Sequence, residues 1–545
     1  MSAPSLGTFI NTGKMTVISR GETPARIAGV QAAQNPGAYG MVISPVGAGT
    51  FTNRGVITAK IHSNENASAG AIAAGMMVFN TTHPGKITLE NTGFINVSSD
   101  IPASAQNNYL PRASEIAVHS MLQAGKAPPE MSNLEIRNYA TTLRDFGATK
   151  DLIQARWANI DFSKTNLILR PSSDYSAGTS YEVSANTLVT KIEEAAYPDA
   201  PVNVTGIDAM TYSAEMSDFI SPDVKKVSDG VYRVSLVPVH SGKSKKLTAA
   251  AAMTPIDFTR INLDQINHEL ERNDRLGQKW FIAPYYSRFK RNEGLSGHSH
   301  GYIIGSDWKI GEKSFGGLHA AYALGSADGN IYSADSSLKS YLGGLHYTIY
   351  PEEKNWIRTQ ATFFHNSGDS HFTMPTATNT LIGKRSNKSN GFYLAVNAGM
   401  SNQLSEKNEL RSEIGLSYLK MTDAPKIHWG VLGEPISGYD MKFDKYNALY
   451  ATAKTSLIHN FTDGDDDNSL LFSLGLRGRL SGKKLTLKMM DTNFGDSVRE
   501  DSVQGLVELS YRRQINKFFV DVGYQGIFGS KSKNHLFHAD LKMNF

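Results

Sequence analysis

Three short motifs in this 545-residue chain contain residue types that support catalysis or metal binding in other proteins. Gly-Asp-Ser, a triplet found in some serine esterases, occurs at 368–370 and at 495–497. His-Glu-Leu-Glu-Arg at 268–272 begins like the zinc-protease motif His-Glu-x-x-His, in which two histidines bind the metal. Asp-Gly-Asp-Asp-Asp-Asn at 463–468 has the acidic spacing of a calcium-binding loop.

Each motif departs from what its chemistry requires. Arg272 stands where the second zinc-binding histidine is needed, and Leu474 stands where a calcium loop needs glutamate. Both Gly-Asp-Ser triplets lie in predicted loops. Four further histidines on nearby segments are expected to line a lumen rather than to bind a metal: His298, His300, His319 and His346. We therefore expect no catalytic residue, no cofactor-binding residue and no metal site.

The composition excludes several classes of protein. The net charge of +4 is small for this length, so no concentrated basic face for nucleic acid is expected. The 48 glycines, 24 phenylalanines and 23 tyrosines favour β-structure with tight turns. The absence of cysteine excludes disulfides and thiol catalysis, and it suits a chain exported through an oxidising compartment.

A repeat with a period of about 40 residues marks the N-terminal part of the chain. Each copy has Asn-x-Gly followed by alternating apolar residues, and the repeated asparagines are Asn11, Asn53 and Asn91. A second element recurs between the copies at 38–44 and 73–79, and a degenerate fourth copy is predicted at 134–143. Residues 1–150 are thus predicted to form a right-handed β-helix. The alternative is an ordinary β-sandwich with coincidental Asn-x-Gly turns.

Residues 151–253 are less regular. Segments 165–171 and 230–239 are predicted strands, and Ser-Gly-Lys-Ser-Lys-Lys-Leu-Thr-Ala-Ala-Ala-Ala-Met at 241–253 is predicted to be a linker. Because the open end of a solenoid exposes strand edges and core, we expect this junction to cap the β-helix.

A polar helix is predicted over 254–277. Thr254 is the expected N-cap, Pro255 suits the first helical position, and Gly277 is the expected end. Its apolar stripe is narrow, so the helix must lie in wet or polar surroundings. The charged residues that face those surroundings are Asp257, Arg260, Asp264, Glu269 and Glu271.

From 278 to 545 the apolar residues alternate with a period of two, in about twelve predicted strands joined by alternating short and long connections. This pattern predicts an antiparallel transmembrane β-barrel with its apolar face outside. A soluble, lipocalin-like barrel is the alternative, but it would place the apolar face inside. The charged residues of the predicted lumen are Arg358, Arg411, Glu413, Arg477, Arg479, Glu508, Arg512 and Asp521.

The chain ends on a half-apolar strand, His-Leu-Phe-His-Ala-Asp-Leu-Lys-Met-Asn-Phe at 535–545. A last strand with alternating apolar residues and a terminal phenylalanine resembles the insertion signal of bacterial outer-membrane proteins. The residues that carry this resemblance are Phe537, Leu541, Met543 and Phe545.

The order of all-β passenger, junction, helix and barrel resembles the type Va autotransporter family. The resemblance implies a barrel at 278–545 in the bacterial outer membrane, a pore helix at 254–277 and a passenger on the cell surface. It also implies a monomeric barrel that meets lipopolysaccharide and other outer-membrane lipid, the barrel-assembly machinery and periplasmic chaperones. The expected function is adhesion to host or neighbouring cells, aggregation or biofilm formation, with a role in virulence.

Two features of the sequence keep alternatives open. Some family members cleave themselves between adjacent asparagines in this helix, but Asn262, Asn267 and Asn273 are not adjacent, so we expect the passenger to stay attached. The N-terminus lacks the features of a signal peptide, so we expect that one was removed or that the chain is truncated. The alternatives are a translocator for an enzyme passenger lying upstream, or a pore with an N-terminal plug.

Overall fold

The N-terminal part of the chain is built from short parallel strands. The computed structural model describes residues 7–19, 37–43, 48–62, 72–80, 85–99, 113–120, 130–142, 151–171, 179–192, 200–273, 278–376, 378–436, 439–463, 466–489 and 492–544. The N-terminal strands are β1 (Gly7–Asn11), β2 (Lys14–Ser19), β3 (Gly37–Ile43), β4 (Gly49–Asn53), β5 (Val56–Ile61), β6 (Ile72–Asn80), β7 (Lys86–Asn91), β8 (Phe94–Ser99), β9 (Ser114–Ser120), β10 (Ser132–Thr142), β11 (Asp151–Ala155), β12 (Ala158–Asp161), β13 (Asn166–Arg170), β14 (Ser180–Ser184), β15 (Val189–Lys191), β16 (Val202–Thr205), β17 (Thr211–Ala214), β18 (Ile220–Ser228) and β19 (Val231–Pro238).

Sixteen of these strands stack into three parallel sheets around a common core, which is the arrangement of a β-helix. One sheet runs β1, β4, β7, β10, β12 and β16, with β13 and β17 beside it. The second runs β3, β6, β9, β11 and β15, and the third runs β2, β5 and β8. The predicted β-helix is therefore confirmed, and the β-sandwich alternative is excluded because sandwich sheets are antiparallel.

The repeated asparagines form a ladder inside the β-helix. Asn11 pairs in register with Asn53, and Asn53 with Asn91. The side-chain amide of Asn11 donates to the amide oxygen of Asn53 (2.8 Å), and the amide of Asn53 donates to that of Asn91 (2.9 Å). A Cβ atom at Gly55 would lie 1.9 Å from the carbonyl oxygen of Gly13, so these corners require glycine.

Replacing Asn53 by alanine is expected to destabilise the β-helix by about 1–3 kcal/mol, because Asn11 and Asn91 would each lose a buried partner. Hydrogen exchange of residues 48–62 and 85–99 would measure this as faster exchange. Asn96→Ala is the matched control, since Asn96 is exposed on the next coil, which also holds Asn91. Equal exchange rates in the two variants would contradict a stabilising ladder.

The stability of the β-helix is expected to depend on pH through the buried Glu135 on β10. Hydrogen bonding by Lys86 (2.5 Å) is the main cause that lowers the pKa of Glu135 to about 2; burial opposes it, and Arg137 and Lys164 add to it. A carboxylate with a lowered pKa stabilises the fold above its unfolded pKa. We expect the free energy of unfolding to fall by on the order of 2 kcal/mol as the pH falls from 4.5 towards 2. This figure includes a reduction for solvent screening, because the three cations are exposed. Calorimetry should show a flatter pH profile in Glu135→Gln.

The β-helix extends further than the predicted boundary at residue 150. Strands β12 and β13 pair with β10, and β16 and β17 continue the stack to Ala214. The Asn-x-Gly signature is missing from these later coils, which explains why the sequence pattern ended early. Beyond them, β14, β19 and β18 form a separate antiparallel sheet, in which the predicted strand at 230–239 is β19.

A long helix follows, and it begins earlier than predicted. Residues 242–253, predicted as a linker, are helical, and Thr254 is not an N-cap. Pro255 has no N–H for the carbonyl of Ala251, and Arg385 donates a hydrogen bond to that carbonyl instead. The alanines at 249–252 favour a helix and are fully buried. The helices are α1 (Ala185–Leu188), a 3₁₀ turn (Ile207–Ala209), α2 (Gly242–Thr248), a π turn (Ala249–Met253) and α3 (Thr254–Asn273).

The C-terminal half is a closed antiparallel barrel, as predicted. Its strands and their extensions are β20 (Lys279–Arg291), β21 (Leu295–Gly311), β22 (Ser314–Gly329), β23 (Ala334–Glu352), β24 (Asn355–Ser367), β25 (Asp369–Pro375), β26 (Thr380–Ser386), β27 (Ser389–Ser405), β28 (Asn408–Met421), β29 (Lys426–Val431), β30 (Glu434–Pro435), β31 (Met441–Phe443), β32 (Asn447–Asp463), β33 (Asp466–Gly482), β34 (Leu485–Met489), β35 (Thr492–Val498), β36 (Val503–Ile515), β37 (Phe518–Gly529) and β38 (Ser532–Asn544).

Twelve of these strands form the wall of the barrel, which closes where β20 pairs with β38. The other seven (β25, β26, β29, β30, β31, β34 and β35) extend beyond the wall at one end, and we call them the outer hairpins. Their buried side chains join the core that continues through the helix and the β-helix. The other end of the wall has short turns, as the alternation of connection lengths predicted.

The two faces of the wall differ as predicted. Large apolar side chains such as Leu345, Phe363 and Ile414 point outward and are 60–67% exposed. Charged side chains on the alternate positions face the lumen and are buried. Among the residues that the structure describes, none of the helices combines the length and the apolar character needed to cross a bilayer.

Candidate functional site in the barrel lumen

Helix α3 fills the barrel lumen, and almost all of its side chains are buried there although most are polar. Burying a polar or charged group costs free energy unless a partner satisfies it, so the lumen must supply the partners. The buried polar residues of this helix are Thr254, Asp257, Thr259, Arg260, Asn262, Asp264, Gln265, His268, Glu269 and Arg272.

The first turns of α3 contact the end of the barrel that carries the outer hairpins. Both oxygens of Asp257 accept hydrogen bonds from the guanidinium of Arg291, at 3.2 Å. Arg260 forms an ion pair with the buried Glu500 and donates to the side chain of Gln504 at 2.8 Å. Removal of one partner from such a buried pair leaves an unpaired charge.

The middle of α3 is fixed by a bidentate ion pair and by hydroxyl groups. Arg477 binds Asp264 through two parallel hydrogen bonds of 3.1 and 2.5 Å, a geometry that restricts both position and orientation. The amide oxygen of Asn262 accepts from the hydroxyl groups of Tyr285 (2.6 Å) and Ser299 (3.1 Å). These contacts fix the rotation of the helix about its own axis.

The last turns begin with a group of four charged or titratable side chains. His268 Nε2 lies 2.8 Å from Glu508 on β36. Lys454 on β32 lies between two carboxylates, 2.5 Å from Glu271 and 3.1 Å from Glu508. Two strands of the wall, separated by β33, therefore contact the same helical turn.

The end of α3 contacts the last two strands of the barrel. Arg272 pairs with Asp521 (2.5 Å), which also accepts from Arg512 (3.2 Å). Arg512 donates to the backbone carbonyl of Arg272 (3.1 Å), where a helix end needs a donor. Lys542 of β38 lies 3.4 Å from Glu269. The closing strand of the barrel is thus tied directly to the helix.

The structure brings some of the predicted lumen residues to the helix and pairs others along the wall. Arg477, Glu508, Arg512 and Asp521 contact α3. Arg358 on β24 pairs with Glu413 on β28 (3.2 Å), across the intervening wall strand β27. Arg411 pairs with Glu409 (2.7 Å), and Arg479 has no ion-pair partner among the described residues.

Sequence reasoning missed four charged side chains that contact the helix, Arg291, Lys454, Glu500 and Lys542, and it missed the contact made by His268 of the helix itself. Lys454 and Lys542 stand at polar positions of alternating strands, so the alternation was a usable signal for them. Glu500 follows the outer hairpins, where no periodicity marks it.

Little space is left beside the helix. Cavities of about 80 and about 110 Å³ lie between α3 and the wall, and each has room for a few water molecules at most. The first is lined by Asp264, Asn267, Arg358 and Glu413 among others. The lumen is therefore occupied by the helix along its length.

The three motifs that resemble catalytic or metal-binding motifs lie at places where they have a role in the fold. His268 and Glu269 are the lumen contacts described above, and the Gly-Asp-Ser triplets lie at β25 and β35 of the outer hairpins. Parts of the acidic turn at 463–468 lie outside the described residues. Asp521, His538 and Asp540 come close enough to hold a metal, but Lys542 lies within 4.0 Å of both carboxylates and balances their charge.

A buried ion pair outside the lumen lies where the β-helix contacts the outer hairpins. Arg170 pairs with Glu215 at 2.5 Å, and both side chains are at most 3% exposed. Glu215 also accepts hydrogen bonds from Thr378 (2.5 Å) and Tyr439 (2.6 Å) of the outer hairpins. Burial by itself raises the pKa of Glu215, but the charge of Arg170 outweighs it and the pKa is lowered.

Arg170 also reaches the third coil of the β-helix. It donates to the carbonyl oxygens of Gly93 (2.6 Å) and Thr92 (3.0 Å), and its guanidinium lies 3.7 Å from the ring centre of Phe94. Asn379 of the outer hairpins donates to the same carbonyl of Thr92 (2.7 Å). One buried cluster therefore connects coils, junction and barrel.

Comparisons with known proteins agree with this architecture. A family model described as the autotransporter beta-domain matches residues 280–525. The chain is similar to the translocator domain of the autotransporter NalP from Neisseria meningitidis (14% identity, 54% of this chain and 100% of that one, TM-score 0.42). It is also similar to the transport unit of the autotransporter AIDA-I from Escherichia coli (14% identity, 50% and 92%, TM-score 0.37).

A third solved structure is the beta domain of the Bordetella autotransporter BrkA (11% identity, 49% and 100%, TM-score 0.38). No curated protein matches the sequence. The family model, the closed barrel of twelve strands and the preceding helix are consistent with one another. The C-terminal half of the chain is therefore an autotransporter beta-domain, an outer-membrane barrel of twelve strands.

Proposed function

We propose that this autotransporter displays its own β-helix on the cell surface and holds it there. The observation that carries the proposal is the course of the chain. The β-helix leads into α2 beside the outer hairpins, α3 runs down the lumen, and β20 begins at the end with the short turns. If the N-terminal part had crossed the barrel from the periplasm, the chain would end with the β-helix outside, α3 in the lumen and β20 starting at the periplasmic end.

The orientation follows from the two ends of the barrel. The β-helix and the outer hairpins are at one end, and the end of β38 is at the other. In outer-membrane barrels the short turns face the periplasm and the long loops face outward. This supports a position of the β-helix outside the cell, where the Arg170–Glu215 cluster would connect it to the barrel.

Adhesion to host or neighbouring cells is the activity that we propose for the displayed β-helix. Its support is a second, outer ladder of amides: Asn159 donates to Asn133 (2.8 Å) and Asn203 donates to Asn159 (2.9 Å). An open groove of about 650 Å³ lies beside this ladder and includes Asp161 and Thr205. Exposed amide, carboxylate and hydroxyl groups suit the hydroxyl groups of a glycan.

The partners of the barrel follow from its surface. Phe537, Leu541 and Met543 point outward on β38, where the barrel-assembly machinery would reach them, while Phe545 lies outside the described residues. Periplasmic chaperones would bind the chain before insertion. A closed barrel has no open strand edge, which favours a monomer in the membrane.

Protease treatment of intact cells tests the display. Cells would express the chain behind a signal peptide, and outer membranes would be blotted before and after boiling. Loss of the N-terminal part, with a barrel that still shifts on heating, is the expected result. Protection of residues 1–240 with the same heat shift would contradict display and favour a pore with a periplasmic plug.

The adhesive role has its own test. Asn159→Ala with Asn203→Ala is expected to reduce aggregation of displaying cells, while Asn96→Ala leaves it unchanged. Aggregation that is equal in all three strains would contradict a role for the groove. Hydrolysis of ester or peptide substrates by intact displaying cells would instead favour an enzymatic activity of the displayed β-helix.

A further inference from the structure

The outer face of the barrel carries a cationic cluster where its first and last strands meet. The side chains come from β20, β21 and β38, and all of them point away from the lumen. We call this group the seam cluster: Arg288, Lys290, His298, His300, Lys533 and His535.

The pairing of the strands brings the basic side chains next to one another and places two lysines directly opposite. Arg288 lies between His298 and His535, and Lys290 lies opposite Lys533. Opposed side chains on antiparallel strands are about 5 Å apart, and like charges there are destabilising. Across the part of the chain that the structure describes, no carboxylate forms an ion pair with any member of the cluster. A bound anion would therefore reduce the electrostatic repulsion between these side chains.

The height of the cluster on the barrel indicates which layer of the membrane it contacts. On β20 the outward-facing Trp280 marks the end near the short turns, and Arg288 and Lys290 lie eight and ten residues further along the strand. At about 3.3 Å per residue and a tilt of about 40°, they stand roughly 20–25 Å above Trp280. The apolar band of such barrels is about 25 Å tall, so the cluster lies at the head-group level.

Aromatic side chains lie directly next to the cluster on the side of the apolar band. Tyr286, Tyr302 and Phe537 are 45–50% exposed on the same outer face. The ring of Tyr286 lies 6.2 Å from that of His298. Aromatic belts mark the boundary between acyl chains and head groups, which supports the same depth for the cluster.

We propose that the seam cluster binds the phosphate groups of an outer-leaflet glycolipid. The choice of leaflet rests on the proposed display of the β-helix, because the cluster is at the end with the outer hairpins. Neighbouring strands are about 4.8 Å apart, so the three strands present the arginine, the two lysines and the imidazole groups over roughly 10 Å, which suits a head group with more than one phosphate. Bound there, the lipid bridges the first and last strands and relieves the repulsion between Lys290 and Lys533.

Lipid binding to the purified full chain in detergent micelles tests this. The variant is Arg288→Gln with Lys290→Gln and Lys533→Gln. The matched control removes three charges at the opposite end of the barrel, Lys313→Gln with Lys354→Gln and Lys407→Gln, all in short turns. Native mass spectrometry or titration with bis-phosphorylated lipid A is expected to show about tenfold or more weakening for the seam variant and no change for the control.

Two further arms identify the ligand. Dephosphorylated lipid A is expected to bind both proteins equally weakly, and inorganic phosphate at the same concentration is expected not to compete. Equal lipid A affinity in wild type, seam variant and control would overturn the proposal, and so would full competition by inorganic phosphate. A heat shift on gels verifies that each barrel is folded. Binding in micelles does not depend on orientation, so failure here leaves the display untouched, and failure of display leaves this binding measurable.

Discussion

A barrel made from residues 274–545, without its lumenal helix, is expected to conduct ions, whereas residues 242–545 are expected to stay closed. The helix occupies a cylinder of roughly 10 Å in diameter, and the cavities left beside it hold only a few waters. Its removal leaves a water-filled path lined by the charges that it now neutralises. In planar bilayers the conductance is expected to rise by about tenfold or more.

The two proteins differ only by the helix, so the comparison is direct. The heat shift of each on gels verifies that the barrel has folded before conductance is recorded. A folded but closed 274–545 barrel would mean that the outer hairpins, and not α3, seal the lumen. Equal conductance of both proteins would favour a permanently open pore.

Replacing Arg170 by methionine is expected to loosen the β-helix from the barrel more than any surface change. Glu215 would remain fully buried without its cation, and removal of one partner from such a pair costs about 3–5 kcal/mol. Hydrogen exchange of residues 85–99 and 200–214 in the full chain should speed up by about a hundredfold or more. Proteolysis near the junction should accelerate with it.

Two controls separate this effect from a general loss of stability. The double variant Arg170→Met with Glu215→Leu is expected to recover most of the loss, because the uncompensated charge is gone. Lys14→Met removes the exposed pair with Glu434, which also joins the β-helix to the outer hairpins, and should cost below about 1 kcal/mol. If Arg170→Met and Lys14→Met behave alike, the buried cluster is not what holds the β-helix in place.

The parts of the fold that were predictable share one property, which is a local signal along the chain. Alternation with a period of two marked the wall strands because outward positions meet lipid and inward positions meet charge. The Asn-x-Gly repeats at Asn11, Asn53 and Asn91 marked the early coils because stacked corners need the same residues in each coil. The later coils at 151–214 lack that signal, and their pairing is visible only in three dimensions.

The lumenal helix was predictable in part. Its polar faces predicted a polar environment, but its start did not follow from local rules. Pro255 suggested a first turn, yet the helix begins at Gly242, because Arg385 from an outer hairpin satisfies the carbonyl that the proline leaves free.

By itself, the sequence determined the architecture of this protein: a β-helix, a polar helix and a barrel with its apolar face outside. Each follows from spacings of two to four residues or from a repeat of about 40 residues, which sequence displays directly. The ion pairs became visible only in three dimensions: Asp264 with Arg477, Arg272 with Asp521, and Arg170 with Glu215. Those pairings depend on strand register and on the rotation of the helix within a closed wall. Both are set by the sum of all contacts and leave no local periodicity in the chain.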